Sequence, residues 1–283
     1  MDEGLFAFEE DDDYQTSNDE YGDETENQQW ERCNMMQANQ DEPASSDIPA
    51  DQFLNKLDLS SGPTVKIFIS TNDGSKQQGF DISKDLLCTH STFFDCAFNG
   101  PFKEATPQEM HLPETPLSTF QLLVQFLYTN TFTFPTRVTS PHEKLTLYLL
   151  FFATCHQLHI TGLSPIISRF KSLVKRCSER GQFPTRFHME LAMDLPRSHE
   201  ARRVAVAACV VPYAYSVTKS STCYGRALFH LEALVEESAD FAADLFRAYT
   251  RAVRGALGAH TIVDPLTMRA YRITTGIETA WEK

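Results

Sequence analysis

The distribution of apolar positions divides the chain into a polar first segment, a short β-rich segment and a long helical one. Residues 64–70 carry apolar side chains at every second position, apart from Phe68, and this alternation predicts a half-buried strand. A turn at Asn72–Ser75 and a second strand at about 77–82 complete a predicted hairpin.

Helical spacing replaces the alternation after the hairpin. Ser91 is a suitable N-cap for a helix whose Phe94 and Phe98 belong to a broad apolar face. A loop at 100–107 and a short strand at 109–112 follow.

Thr115 and Pro116 then predict the start of a further helix, as an N-cap followed by proline in the first helical position. Its apolar residues recur on one face, which places Gln121 and Gln125 on the opposite face. The helix is predicted to end near Tyr128, before an extended linker and another helix over Glu143–Gln157.

Five elements occur in one order between residues 64 and 129. They are the leading strand, a Lys84-Asp-Leu-Leu turn into a helix, a Ser91-x-Phe-Phe helix, a Phe102-Lys-Glu loop before a short strand, and a helix ending Phe126-Leu-Tyr-Thr. In this order they resemble a BTB/POZ domain, a protein-interaction fold. The resemblance implies an α+β fold, with a small β-sheet capped by helices.

The chain beyond Leu163 is predicted to be helical to about Gly258, and no kelch, ankyrin or zinc-finger repeat occurs in it. This arrangement resembles the compact BTB proteins common in filamentous fungi. The predicted organisation is a disordered acidic tail at 1–50, a BTB/POZ domain at 51–135, a helical extension at 136–258 and a short tail at 259–283.

Charge is concentrated at the start of the chain. The formal net charge of the protein is -13, and residues 1–50 contain 16 acidic residues and one arginine. Few apolar groups accompany them, so the segment is predicted to be disordered. Its aromatic residues among acids are typical either of a docking segment for partners or of a solubilising tail.

The seven cysteines are scattered, and none forms a Cys-x-x-Cys pair. No hydrophobic leader precedes Met35, which favours a reducing location inside the cell, in the nucleus or the cytoplasm. The densest apolar stretch, Leu145–Cys155, is too short to cross a bilayer, which needs about 20 residues. The sequence therefore predicts no membrane partner.

Catalytic, metal and cofactor sites find little support in the sequence. Cys88, His90 and Cys96 could ligate a metal, but their spacing does not suit zinc and the segment is needed as a packed helix. Cys155 and His156 are adjacent in a helix and point about 100° apart, which prevents productive pairing. No phosphate-binding loop occurs. We therefore expect no catalytic residue, no metal and no cofactor.

Basic residues cluster between Arg169 and Arg203, and polar and acidic residues lie among them. This mixture is more typical of a solvated helix face than of a nucleic-acid surface. The sequence accordingly argues against a nucleic-acid partner.

The BTB resemblance also suggests where partners bind. Phe102 and Glu104 match the hydrophobic-x-Glu motif through which many BTB proteins bind a cullin scaffold, and Tyr128 could pack on the same face. The alternative is that Phe102 packs on its own domain while Glu104 is solvated.

A second predicted interaction surface is the short helix at 51–57. Phe53, Leu54 and Leu57 form its apolar stripe, and in many BTB proteins a segment at this position helps to form a homodimer. The alternative is a lid that packs on its own domain.

Two departures limit the resemblance: Thr64 and Ser83 replace an Asp and a His that many members carry. The charged pocket of the dimeric transcription-factor members is therefore not expected. The first functional hypothesis is a non-catalytic oligomerisation scaffold, with adaptor activity for a cullin-type ubiquitin ligase. The second is a transcription-linked regulator that recruits partners through its acidic tail.

Overall fold

A computed structural model provides the structure of the chain. It describes residues 48–56, 62–70, 77–218, 229–254 and 261–272. Leu57 and the first 47 residues therefore lie outside the described residues, and of Leu54 only the backbone is described.

Three strands form a mixed sheet in the first half of the described chain. Strands β1 (Thr64–Ser70) and β2 (Gln77–Ser83) pair antiparallel, and β3 (Glu109–Leu112) joins the other edge of β1 in parallel. The inward-facing side chains of β1 are fully buried, as the alternation predicts. The sheet order is β2-β1-β3.

Five helices of the described chain surround this sheet in sequence. They are α1 (Ala50–Lys56), α2 (Lys84–His90), α3 (Thr92–Asn99), α4 (Leu117–Thr129) and α5 (Pro141–Gln157). Of these, α2 and α4 pack on the sheet. Ser91 caps α3 as predicted, because its Oγ accepts a hydrogen bond from the backbone N–H of Phe94 at 3.1 Å. The same hydroxyl donates to the carbonyl oxygen of Leu158 at 2.5 Å, which fixes the end of α5 against α3. The α+β prediction is confirmed.

Two expectations about α4 were wrong. Its N-cap is Pro116 rather than Thr115, and no side chain caps it. Gln125 is fully buried, although its position opposite the apolar stripe suggested a polar outer face. The reason is that α1 packs on this side of α4, so α4 is covered on both faces.

The remaining helices follow α5 without a break in the hydrophobic core. They are α6 (Ser164–Glu179), α7 (Arg186–Met193), α8 (Glu200–Ala207), α9 (Val210–Thr218), α10 (Glu232–Glu237) and α11 (Ala239–Arg254). Strands β4 (Thr261–Val263) and β5 (Ala270–Arg272) form a small hairpin that sequence analysis did not predict. Helix α7 lies within the region that the sequence predicted to be helical.

An aromatic cluster joins the sheet-bearing part to the helical part. The ring of Phe126 on α4 lies 5.8 Å from that of Phe151, and Phe151 lies 4.9 Å from Phe132. Tyr148 lies 5.5 Å from Phe170 on α6. Aromatic pairs at these separations are favourable and bury a large area. The linker residue Phe132 is therefore part of the core, where it is fully buried.

Within the parts of the chain that the structure describes, no helix is long and apolar enough to cross a bilayer. In the same parts, no group of three or more His, Cys, Asp or Glu side chains is placed to hold a metal ion.

Candidate partner-binding groove

A groove of about 350 Å³ opens between α3 and the segment that follows it. Its floor and walls are largely apolar and come from Thr92, Phe93, Cys96, Ala97, Phe102 and Met110. Two ionisable side chains complete the lining, Glu104 and His159. We call this feature the α3 groove.

Glycine is required where the chain leaves α3. The backbone N–H of Gly100 donates to the carbonyl oxygen of Cys96 at 2.9 Å. A Cβ at position 100 would collide with that same oxygen, so no other residue fits without a shift of the backbone. The chain then turns directly into the segment that carries Phe102.

The segment after Gly100 is held in a defined shape. Lys103–Ala105 forms a turn of 3₁₀ helix, and Gln108 closes it by donating from its backbone to the carbonyl oxygen of Glu104 at 2.9 Å. The side-chain amide of Gln108 also donates to the carbonyl oxygens of Phe98 and Ala105. These bonds fix the backbone around Phe102 and Glu104, which reduces the entropy lost when a partner binds.

The two motif residues of the groove differ in exposure. Phe102 is 56% exposed, and the adjacent Phe93 is 37% exposed. The Glu104 side chain is only 23% exposed, and its nearest cation is the freely exposed Lys103, 3.9 Å away. An exposed aromatic ring beside a half-buried carboxylate is a combination typical of an interaction surface.

The end of α5 supplies the rim of the groove. His159 adopts a left-handed backbone conformation, with φ of 51°, and its Nδ1 lies 3.4 Å from the hydroxyl of Thr92. Sequence analysis missed His159 and Met110 because both approach α3 only through tertiary contacts. The sequence placed Phe93 with Phe94 on the apolar core face of α3, but Phe93 is 37% exposed and lines the groove.

Tyr128 does not line the α3 groove. Its hydroxyl accepts a hydrogen bond from the backbone N–H of Ser83 at 3.1 Å, and burial raises its pKa. Its ring lies 6.2 Å from that of Phe53 on α1. The structure therefore brings Phe102 and Glu104 together and places Tyr128 with Phe53 elsewhere.

Helix α1 packs on α4 of its own chain. Ala50 is fully buried and donates from its backbone to the carbonyl oxygen of Thr133 at 3.0 Å, while Phe53 is half-buried. Ala50 thus begins a helix, although the sequence placed it in the tail.

Burial lowers the reactivity of Cys155, which the sequence analysis considered together with His156. The Cys155 thiol is fully buried and its pKa is raised by that burial, so it stays protonated, whereas the adjacent His156 is exposed. Burial likewise raises the pKa of Cys209 to about 12. Cys96 is exposed at the α3 groove.

The sequence predicted that the basic cluster is a solvated helix face. The structure shows that this face is only partly solvated. Arg202 is 3% exposed, and its Nε donates to Asp244 on α11 at 2.8 Å. Arg186 pairs with Glu237, and Arg197 pairs with Asp240. Sequence analysis missed these pairs because the acidic partners lie more than 40 residues further along the chain.

The structure combines a mixed three-stranded sheet packed against helices with an exposed aromatic residue at an apolar groove. Residues 61–171 match the family model of the BTB/POZ domain. The chain therefore contains a BTB/POZ domain, and the matched residues extend into α6. A search of curated proteins found no match for the chain.

Proposed function

We propose that this protein is a non-catalytic, self-associating scaffold that also acts as a substrate adaptor for a cullin-type ubiquitin ligase inside the cell. BTB/POZ domains are protein–protein interaction modules and are typically non-catalytic. The observation that carries the adaptor proposal is the exposure of Phe102, at 56%, beside the α3 groove.

The groove suits a helix of a cullin scaffold. Phe102 and Phe93 offer apolar area that is already exposed, so that binding removes it from water without rearrangement of the core. The concave wall between them accepts one apolar side chain of the partner. Glu104 then meets a donor of the partner at the edge of the groove, where the charge fixes orientation.

Alanine at position 102 tests the adaptor proposal. The full chain is titrated calorimetrically with the amino-terminal domain of a cullin from the same organism. We expect Phe102→Ala to weaken binding by about 30-fold, or about 2 kcal/mol, as for an aromatic residue at the centre of an interface. Glu104→Ala should cost less, unless the carboxylate loses all its water on binding.

Phe187→Ala is the matched control, because Phe187 on α7 is similarly exposed, at 54%, and does not line the groove. It should leave cullin affinity unchanged. If wild-type protein shows no binding at about tens of micromolar, the adaptor proposal fails. Equal losses in Phe102→Ala and Phe187→Ala would also contradict it.

The self-association proposal concerns α1. The segment forms a helix that packs on α4 of the same chain. We expect Leu54→Asp combined with Leu57→Asp to convert a homodimer into a soluble monomer, because carboxylates without partners are costly to bury. Light scattering measures the change. A wild-type monomer at high concentration would show instead that α1 is only a lid.

A further inference from the structure

The C-terminus of α5 carries a side chain where helices commonly have glycine. His159 follows the C-cap Leu158 and has φ of 51°. The backbone N–H of His159 donates to the carbonyl oxygen of His156 at 3.2 Å, and that of Ile160 donates to the carbonyl oxygen of Cys155 at 2.8 Å. These two bonds define a Schellman motif, whose left-handed position is usually occupied by glycine.

Helix α6 ends in the same motif with glycine at this position. Gly181 has φ of 71°, and its backbone N–H donates to the carbonyl oxygen of Ser178 at 3.0 Å. The backbone N–H of Gln182 donates to the carbonyl oxygen of Cys177 at 2.9 Å. The left-handed conformation is costly for a residue that has a Cβ, and glycine avoids this cost. Ending the helix therefore does not explain the side chain at His159.

The backbone on both sides of His159 is fixed against the start of α3. Before it, the carbonyl oxygen of Leu158 accepts a hydrogen bond from the hydroxyl of Ser91 at 2.5 Å. After it, the backbone N–H of Thr161 donates to the carbonyl oxygen of His90 at 3.0 Å. The imidazole of His159 is thus presented to the α3 groove by a fixed backbone, which reduces the entropy lost when a partner binds.

The imidazole of His159 is exposed and is suited to act as a donor. Its Nδ1 lies 3.4 Å from the hydroxyl of Thr92, which is long for a hydrogen bond and adds little to stability. In the tautomer that accepts from this hydroxyl, Nε2 carries the proton and can donate to a partner. Glu104, which lines the same groove, is an acceptor. The groove therefore combines apolar walls with one donor and one acceptor.

We infer that His159 is a specificity-determining residue of the α3 groove and that its Nε2 donates a hydrogen bond to the partner bound there. The partner presents an apolar side chain to the walls of the groove, a donor to Glu104, and a carboxylate or carbonyl oxygen to His159. This inference deepens the proposed adaptor function and rests on it. The partner used in the test is therefore the amino-terminal domain of the cullin.

The test measures cullin affinity by calorimetry and thermal unfolding on the same samples of the full chain. His159→Gly should weaken cullin binding by about fivefold, through loss of one hydrogen bond. It should also raise the melting temperature by about 1–3 °C, because glycine relieves the strain of the left-handed conformation. His159→Asn should weaken binding to a similar extent, since asparagine also adopts this conformation but has a shorter side chain.

Gly181→His is the matched control, because it places the same side chain in the same motif at the end of α6. Gly181 does not line the α3 groove, and a Cβ at this position would meet no described atom within 4 Å. The substitution therefore adds backbone strain without a steric clash of its Cβ. It should lower the melting temperature by about 2–4 °C and leave cullin affinity unchanged.

The outcomes separate this inference from the adaptor proposal. If wild-type protein binds the cullin domain and both His159 variants bind it equally well, the inference is wrong and the adaptor proposal stands. A lower melting temperature of His159→Gly would also overturn the inference, because the imidazole would then stabilise the fold. Equal weakening by Gly181→His would mean that affinity follows helix stability rather than a contact of His159. If wild-type protein shows no binding at about tens of micromolar, the adaptor proposal and this inference both fail.

Discussion

The side chain of Gln125 holds two segments of the chain against α4. Its amide nitrogen donates to the carbonyl oxygen of Ile48 at 2.8 Å, and its oxygen accepts from the backbone N–H of Thr133 at 2.9 Å. The residue is fully buried. One amide therefore satisfies backbone groups of both the segment before α1 and the linker after α4.

Removal of this amide should destabilise the fold. We expect Gln125→Ala to lower the free energy of unfolding by about 1–3 kcal/mol, because it leaves a partly buried carbonyl and a partly buried N–H unpaired. Gln121→Ala on the same helix is the control, and it should change stability by less than about 0.5 kcal/mol. Urea denaturation measures both. Equal effects of the two variants would show that Gln125 acts through helix propensity alone.

Sequence periodicity could not have revealed this role of Gln125. Apolar spacing identifies the face that a helix turns to its own core, as it did for α4, and it identified the buried positions of β1 at Val65 and Ile67 equally well. It cannot show that a second element covers the polar face, because the partner of Gln125 lies 77 residues earlier in the chain.

At the scale of elements, Arg202 joins α8 to α11. Its guanidinium donates to the carbonyl oxygens of Met193 and Leu195, both at 2.9 Å, and its Nη2 lies 2.6 Å from Oδ2 of Asp244. The Asp244 side chain is 15% exposed and also pairs with Arg247 at 3.1 Å. Asp244 thus has one buried and one exposed cationic partner.

Arg202 and Arg247 both pair with Asp244 but differ in burial, so their variants show how burial affects the stability that an ion pair contributes. Arg202→Ala should destabilise the protein by about 3–5 kcal/mol, because it leaves two carbonyls without their donor and removes the buried cationic partner of Asp244. Arg247→Ala should cost less than about 1 kcal/mol, since Arg247 is 55% exposed and screened by water. Chemical denaturation of the two variants checks the difference. Similar losses in the free energy of unfolding of the two variants would mean that the ion pair, rather than burial, determines how much each arginine stabilises the protein.

The elements that the sequence predicted are those with a strong local pattern. Ser91 caps α3 where expected, and the motif of Phe102 and Glu104 lies at a groove. The hairpin of β4 and β5 was missed because strands of three residues are too short to show alternation. The boundary between the BTB domain and the helices that follow it also cannot be predicted from the local sequence pattern, because Phe132 and Phe151 pack across it.

At the scale of the whole molecule, two histidines accept hydrogen bonds in their neutral form, and one of them, His188, connects distant elements. His188 is 3% exposed; its Nδ1 accepts from the backbone N–H of Thr185 at 3.0 Å, and its Nε2 lies 3.0 Å from the carbonyl oxygen of His142 on α5. Nδ1 of His199 accepts from the backbone N–H of Ala201 at 3.2 Å and so caps α8. A proton on either Nδ1 would remove the acceptor.

Burial lowers the pKa of both histidines below the ordinary value of 6.5. For His188 the hydrogen bond to the carbonyl of His142 opposes the effect, while the nearby imidazole of His142 adds to it. For His199 the neighbouring His156 lowers the pKa further. The folded state therefore binds fewer protons than the unfolded state just below pH 6.5.

Because the unfolded state takes up the extra protons, stability is complete above pH 6.5 and is lost as the pH falls from 6.5 through the lowered folded pKa values. Each histidine contributes a slope of at most about 1.4 kcal/mol per pH unit. We expect the wild-type melting temperature to fall across this interval.

His188→Gln stays neutral and should reduce the slope of stability against pH, whatever its effect on stability at neutral pH. The exposed His111 on β3 provides the control, and His111→Gln should change the slope less. If His188→Gln retains the full wild-type slope, the acid sensitivity arises elsewhere and the neutral imidazole of His188 is not what joins α5 to α7.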